Sequence, residues 1–224
     1  MRIDIRRQQI PWMMAGIRAA LGPILIAGQA RGWNGFTVAF LILTALLSDI
    51  FDGVLARRWK CDTAGVRLFD SMADTVFYLC VAAALWARQP QIWHRYEGLL
   101  LALFALETAH FAFDFAKFGK PASYHSYLAK LWGLVLASAV MLVFALQRSN
   151  LLLPAALVLG ILSNLEALLM SAILPFWCKD VKTLLAAWRL RRERLSHAAK
   201  LTPTKFGSRT KARAFHSAWI NPDL

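Results

Sequence analysis

Charge is scarce in this chain, and acidic charge is scarcer still. Of its 224 residues only 17% are charged, against about 25% in soluble domains, while 58% are hydrophobic. That excludes an ordinary water-soluble globular protein, and the length suits a single membrane domain. The three cysteines, Cys61, Cys80 and Cys178, lie far apart, which excludes a thiolate metal site and a disulfide framework. The charged first nine residues lead into an apolar stretch of span length rather than a short core with a cleavage site, so a signal peptide is not expected. No internal repeat is present. The net charge of +13 would suit nucleic acid or an anionic membrane surface. The excess lies in the loops and the C-terminal tail of an apolar chain, so the membrane surface is expected and nucleic acid is not.

Six apolar stretches reach the ~20 residues that cross ~30 Å of hydrocarbon. They run over 11–30, 35–56, 68–87, 98–118, 128–146 and 151–174. The expected fold is therefore all-α, an integral membrane six-transmembrane-helix bundle over residues 1–177. The links at 31–34, 88–97 and 148–150 hold Arg31, Arg88, Arg95 and Arg148. The opposite side holds Arg2, Arg6, Arg7, Arg57, Arg58, Lys60, Arg67, Lys117, Lys120 and the basic tail. The positive-inside bias then places both termini in the cytoplasm, with Trp33, Trp86 and Trp93 as anchors on the outer side.

Residues 179–195 read as a C-terminal amphipathic basic helix, assigned to a segment 178–195. Val181, Leu184, Leu185 and Trp188 recur at helical spacing, and Lys182, Arg189 and Arg192 lie largely off that stripe. Such a helix is expected to lie on an anionic leaflet. Residues 196–224 are polar and basic without a period, which predicts a disordered tail.

Against this background, five of the 13 acidic residues fall between positions 49 and 74. Asp49 and Asp52 end the second span; Asp70 and Asp74 begin the third. On a helix Asp49, Asp52, Gly53 and Ala56 fall within about 100° of one another. Asp70 and Asp74 share a face at i and i+4. The short link between the spans makes an antiparallel hairpin, so four carboxylates can converge at one depth. Left bare, each costs about 3 kcal/mol on insertion scales, on the order of 10 kcal/mol together, and their repulsion raises their pKa values. One or two divalent cations resolve both problems, and carboxylates with open positions and phosphate oxygens are a magnesium ligand set. Small residues at Gly53 and Ala56 let a substrate approach the helix, and Arg57 supplies a planar donor for phosphate. The bland alternative is an interfacial ion-pair web with Arg57, Arg58, Lys60 and Arg67.

The string Asp49-Ile-Phe-Asp52-Gly53-Val-Leu-Ala56-Arg57, followed by Asp70-Ser-Met-Ala-Asp74, resembles the signature of the CDP-alcohol phosphotransferases, also called CDP-alcohol phosphatidyltransferases. Pro11, Arg18 and Pro23 are similar to the start of the first span in the bacterial phosphatidylglycerophosphate synthases of that family. The resemblance covers roughly residues 10–175. In one departure, Val66 occupies the position of the family's second glycine, and Gly65 sits one residue earlier. The resemblance implies that Asp49, Asp52, Asp70 and Asp74 hold two divalent ions, Mg2+ or Mn2+. It implies that Asp52, Gly53, Ala56, Arg57 and Gly65 line the CDP and diphosphate site, with Asp74 as general base. CDP-diacylglycerol is then the donor, a small alcohol the acceptor, CMP the leaving product, and the enzyme a homodimer in the cytoplasmic membrane.

Arg67, Lys117, Lys120 and Lys130 are the candidates for an acceptor phosphate such as that of glycerol 3-phosphate, with Lys130 first because it lies within the fifth span. Glu107, His110 and Asp114 share a face of the fourth span, where the resembling synthases carry an arginine, so a neutral acceptor such as inositol stays open. Arg18 and Glu166, inside spans one and six, read as a mutual pair, as snorkelling of Arg18, or as catalytic groups. A transporter would favour midplane acids and broken helices in matching repeats, and neither is present. A membrane scaffold leaves the four aspartates unexplained.

Overall fold

A computed structural model describes residues 5–59, 64–122, 124, 126–178 and 180–200. Among these, all regular structure is helical. In chain order the helices are α1 (Ile5–Ala30), α2 (Gly35–Trp59), α3 (Ala64–Arg88), α4 (Pro90–Arg95), α5 (Glu97–Phe118), α6 (Tyr127–Leu146), α7 (Leu152–Ile173) and α8 (Leu184–Lys200). Five are long and apolar enough to cross a membrane, over Trp12–Ala30, Phe69–Arg88, Glu97–Phe118, Tyr127–Leu146 and Leu152–Ile173. In α2 the apolar part is shorter, Gly35–Phe51. The reason is local: Asp49, Asp52, Arg57 and Arg58 crowd its last turns.

The helix ends follow side-chain chemistry. Asn34 Oδ1 accepts from the Thr37 amide at 2.8 Å and opens α2. Ser126, Asn150 and Thr183 accept in the same way from the third amide on, at 3.1 Å each, and open α6, α7 and α8. Gly32 and Gly119, at φ +79° and +70°, take the left-handed conformation after α1 and α5. The expected link 88–97 contains a helical turn, α4, because Pro90 sits in its first turn and Ile92 is buried.

The chain divides into two compact units. The first comprises Met1–Glu97 with Leu134–Ala156. In it α1 packs along α3 and α2. The buried residues keep helical spacing: Val38, Ile42 and Ala45 on α2, and Phe77, Val81 and Ala84 on α3. Outward positions such as Ile17, Phe40 and Leu79 are apolar too, at 56%, 66% and 65% exposure, which suits lipid rather than water. Small residues set the closest approaches, as membrane helices require. A Cβ at Gly22 would sit 3.0 Å from Cys80 Sγ and 3.3 Å from Phe77 Cα. One at Gly35 would fall 1.8 Å from the Phe144 carbonyl oxygen.

The second unit comprises Gly98–Gly133 with Leu157–Leu224. Met170, Leu174, Val181 and Ala187 form its buried apolar cluster, with Phe176, Leu184 and Leu190 against it. The C-terminal helix differs from the expectation at both ends. It begins at Leu184, because Thr183 caps it, and Val181 is buried in the preceding non-helical segment. It continues to Lys200, past the expected end at Leu195; Lys179 and residues 201–224 lie outside the described residues.

Candidate functional site

Among the described side chains, three aspartates converge. Asp49 comes from α2, Asp70 and Asp74 from one face of α3, and one oxygen of each lies within 4.8 Å of the others. Their side chains are about one third exposed or less, at 35%, 34% and 26%. They meet because α2 and α3 both pack along α1, with Asp70 and Asp74 one turn apart on α3. Asp52 lies on α2 within a turn of Asp49, but its side chain lies outside the described residues, as do those of Ala56, Arg57 and Arg67. Gly53 also belongs to α2, among those undescribed side-chain positions. Gly65 is exposed on α3, and a Cβ there would make ordinary contact with the Trp12 ring at 3.6 Å.

The residue at the centre of the carboxylates is Arg18. Its guanidinium donates through Nη1 to Asp49 Oδ1 at 2.6 Å and to Asp74 Oδ1, and through Nη2 to Asp70 Oδ1 at 2.9 Å. Only 2% of Arg18 is exposed. The snorkelling alternative is thereby overturned: a buried guanidinium is tolerable where carboxylates surround it, and here three do. Depth on the chain could have revealed this. Arg18 lies seven residues from the start of the first expected span, Asp49 seven from the end of the second, and Asp74 six from the start of the third. At 1.5 Å per residue the expected spans put all three about 10 Å from one surface.

Three hard oxygens this close, on side chains that keep partial access to solvent, fit a magnesium or manganese ion. The same arrangement offers a carboxylate to accept a proton from a hydroxyl brought beside it.

The basic acceptor candidates that are described belong to the second unit. Lys117 Nζ donates to the carbonyls of Ser171 and Ala172 at 2.7 and 3.1 Å, capping the C-terminal end of α7. Lys120 Nζ lies 3.8 Å from the centre of the Trp177 ring. Lys130 is exposed, with its ammonium 6.0 Å from the Tyr127 ring centre. The acids of α5 pair with α7 rather than with these lysines. Glu107 accepts from Asn164 at 2.9 Å. Asp114, fully buried, accepts from the Ser171 hydroxyl at 2.5 Å and the Ala122 amide at 2.9 Å, and His110 Nε2 stands 3.1 Å from its Oδ2. The Ser171 hydroxyl is also 3.2 Å from the Tyr124 phenol, which burial pushes above its ordinary pKa. Ser171, Asn164 and Tyr124 were not anticipated, because a hydroxyl or amide in an apolar stretch carries no sign of which way it turns.

The family model of the CDP-alcohol phosphatidyltransferases matches residues 8–162. Curated relatives include the CDP-diacylglycerol–glycerol-3-phosphate 3-phosphatidyltransferases of Escherichia coli (strain K12), Shigella flexneri serotype 5b (strain 8401) and Shigella sonnei (strain Ss046). Each is 31% identical over 86 residues, which is 38% of this chain and 47% of the relative. The chain thus spans about half the length of the curated relatives it matches. No solved structure matches.

Proposed function

Because the chain belongs to the CDP-alcohol phosphatidyltransferase family, we propose that it moves a phosphatidyl group from CDP-diacylglycerol to a small alcohol, glycerol 3-phosphate first, and releases CMP. The observation that carries this reading is the convergence of Asp49, Asp70 and Asp74 inside the family-matched segment. Asp49, Asp52, Asp70 and Asp74 would hold two divalent ions, Mg2+ or Mn2+. When bound, these ions supply charge neutralisation on the donor's diphosphate and on the departing CMP. Asp52, Gly53, Ala56, Arg57 and Gly65 line the nucleotide and diphosphate site. The acceptor hydroxyl oxygen bonds to the phosphorus that carries the lipid, the bond from that phosphorus to the bridging oxygen breaks, and Asp74 takes the hydroxyl proton.

Six spans are proposed, with α2 as the sixth. Its 25 residues extend about 37 Å, enough to cross with its polar last turns at the surface. Both termini face the cytoplasm of the inner membrane by the distribution of arginine and lysine, and a homodimer is expected by family resemblance. In α8, Leu185, Trp188 and Leu195 are exposed at 58%, 53% and 47%, beside Arg189 and Arg192, which supports docking on an anionic leaflet. Lys130 leads the acceptor candidates over Arg67, Lys117 and Lys120, since Lys117 is engaged by two carbonyls.

The test is CMP release by purified chain from CDP-diacylglycerol with Mg2+ or Mn2+ and a panel of acceptors. Asp74→Asn abolishes release while the protein still inserts; near-full activity refutes the base. Lys130→Ala raises KM for glycerol 3-phosphate more than it lowers kcat; an unchanged KM removes it from the pocket. Turnover with inositol but not glycerol 3-phosphate refutes the acceptor.

A further inference from the structure

The guanidinium of Arg18 and a divalent cation call on the same three side chains. Nη1 and Nη2 hold Oδ1 of Asp49, Asp74 and Asp70, and these are the carboxylates whose oxygens stand within 4.8 Å of one another. We infer that Arg18 is a resident counter-ion that competes with divalent cations for this site, holding the carboxylates together without metal and setting metal affinity low. The inference rests on the proposed function only in taking the site to be a cation site.

The competition follows from charge and geometry. Arginine cannot be neutralised to make way, since it stays protonated at any relevant pH. A cation taking the Oδ1 atoms must break charge-assisted hydrogen bonds, each among the stronger kinds in proteins. A cation taking the other carboxylate oxygens must stand beside a buried positive charge that is 2% exposed and poorly screened. Either route weakens binding. The same guanidinium has the opposite effect in the metal-free chain, where it offsets the mutual repulsion of Asp49, Asp70 and Asp74.

The probe is Mn2+ alone, with the full chain in nanodiscs of phosphatidylcholine, free Mn2+ being read by its electron paramagnetic resonance signal. Arg18→Gln removes the charge and keeps an amide donor. It is expected to bind Mn2+ about tenfold more tightly than the wild type, or more, and to melt lower without metal. Added Mn2+ should raise its melting temperature further than the wild type's. Equal or weaker Mn2+ binding overturns the inference, and so does an absence of Mn2+ binding in every variant. Should Arg18→Gln fail to fold, Arg18→Met decides. Its side chain is unbranched and uncharged, so tighter Mn2+ binding than wild type is expected, and equal or weaker binding overturns the inference. Because CMP is not the readout, the two readings fail separately. A chain with no transferase activity whose Arg18→Gln variant gains Mn2+ affinity retires the proposed function and leaves the counter-ion standing. An active chain with no gain does the reverse.

Discussion

Replacing Asp114 with alanine should be among the most destabilising single changes in the second unit. The carboxylate is fully buried and receives the Ser171 hydroxyl at 2.5 Å and the Ala122 amide at 2.9 Å, with His110 Nε2 at 3.1 Å. Removing the carboxylate therefore strands two donors, and a stranded buried donor costs about 1–3 kcal/mol. The Ser171 hydroxyl can turn to Tyr124, 3.2 Å away, so its share falls at the low end. The sum is about 2–4 kcal/mol, or a fall in melting temperature of about 4–16 °C for a chain of this size. Unfolding of purified protein in mixed micelles, followed by tryptophan fluorescence, reads it. A double-mutant cycle with Ser171→Ala isolates one bond. Hydrogen bonds between membrane helices average about 0.6 kcal/mol in such cycles. A bond to a carboxylate at this distance should couple by about 1.5 kcal/mol. A loss below about 1 kcal/mol for Asp114→Ala, or coupling no larger than the membrane average, would refute the reasoning.

Two further outcomes test the packing and the surface. Gly35→Ala places a Cβ 1.8 Å from the Phe144 carbonyl oxygen, which is backbone and cannot swing aside; a loss of about 3 kcal/mol is expected, at the top of the usual overpacking range, and an unchanged melting temperature would mean that α2 and α6 do not meet there. On α8, Leu185→Glu with Trp188→Glu should make the arginines of that helix several-fold more accessible to trypsin in nanodiscs of anionic lipid, whereas equal cleavage would show that the exposed apolar face does not rest on the leaflet.

The convergence of Asp49, Asp70 and Asp74 was legible from the helical period and the shortness of the link in sequence, although what brings α2 and α3 together in the structure is α1, along which both pack. The boundary of α8 was misread for a related reason. Val181 fits the apolar period of that helix, yet periodicity says nothing about where a helix may begin. Thr183 does, because its hydroxyl replaces the missing acceptor of the Ala186 amide at 3.1 Å. The polar seam of the second unit was half visible. Glu107, His110 and Asp114 declared a face of α5, but Asn164 and Ser171 on α7 carry no charge to mark theirs.

Arg18 shows what a fuller reading of charge in an apolar chain requires. Taken alone, a lone arginine in a span has several acceptable fates, and the acids two spans away have several acceptable partners. The two problems constrain each other once charges are placed by distance from the membrane surface rather than by position in the chain. A buried guanidinium needs carboxylates, a cluster of carboxylates needs a cation, and the expected spans put both about 10 Å from one surface. Solved together they leave one arrangement, in which Arg18 donates to Asp49, Asp70 and Asp74. It follows that part of the site's charge is neutralised by the protein itself. Any cation the family chemistry calls for must therefore be drawn in against a charge that the first helix has put in its place.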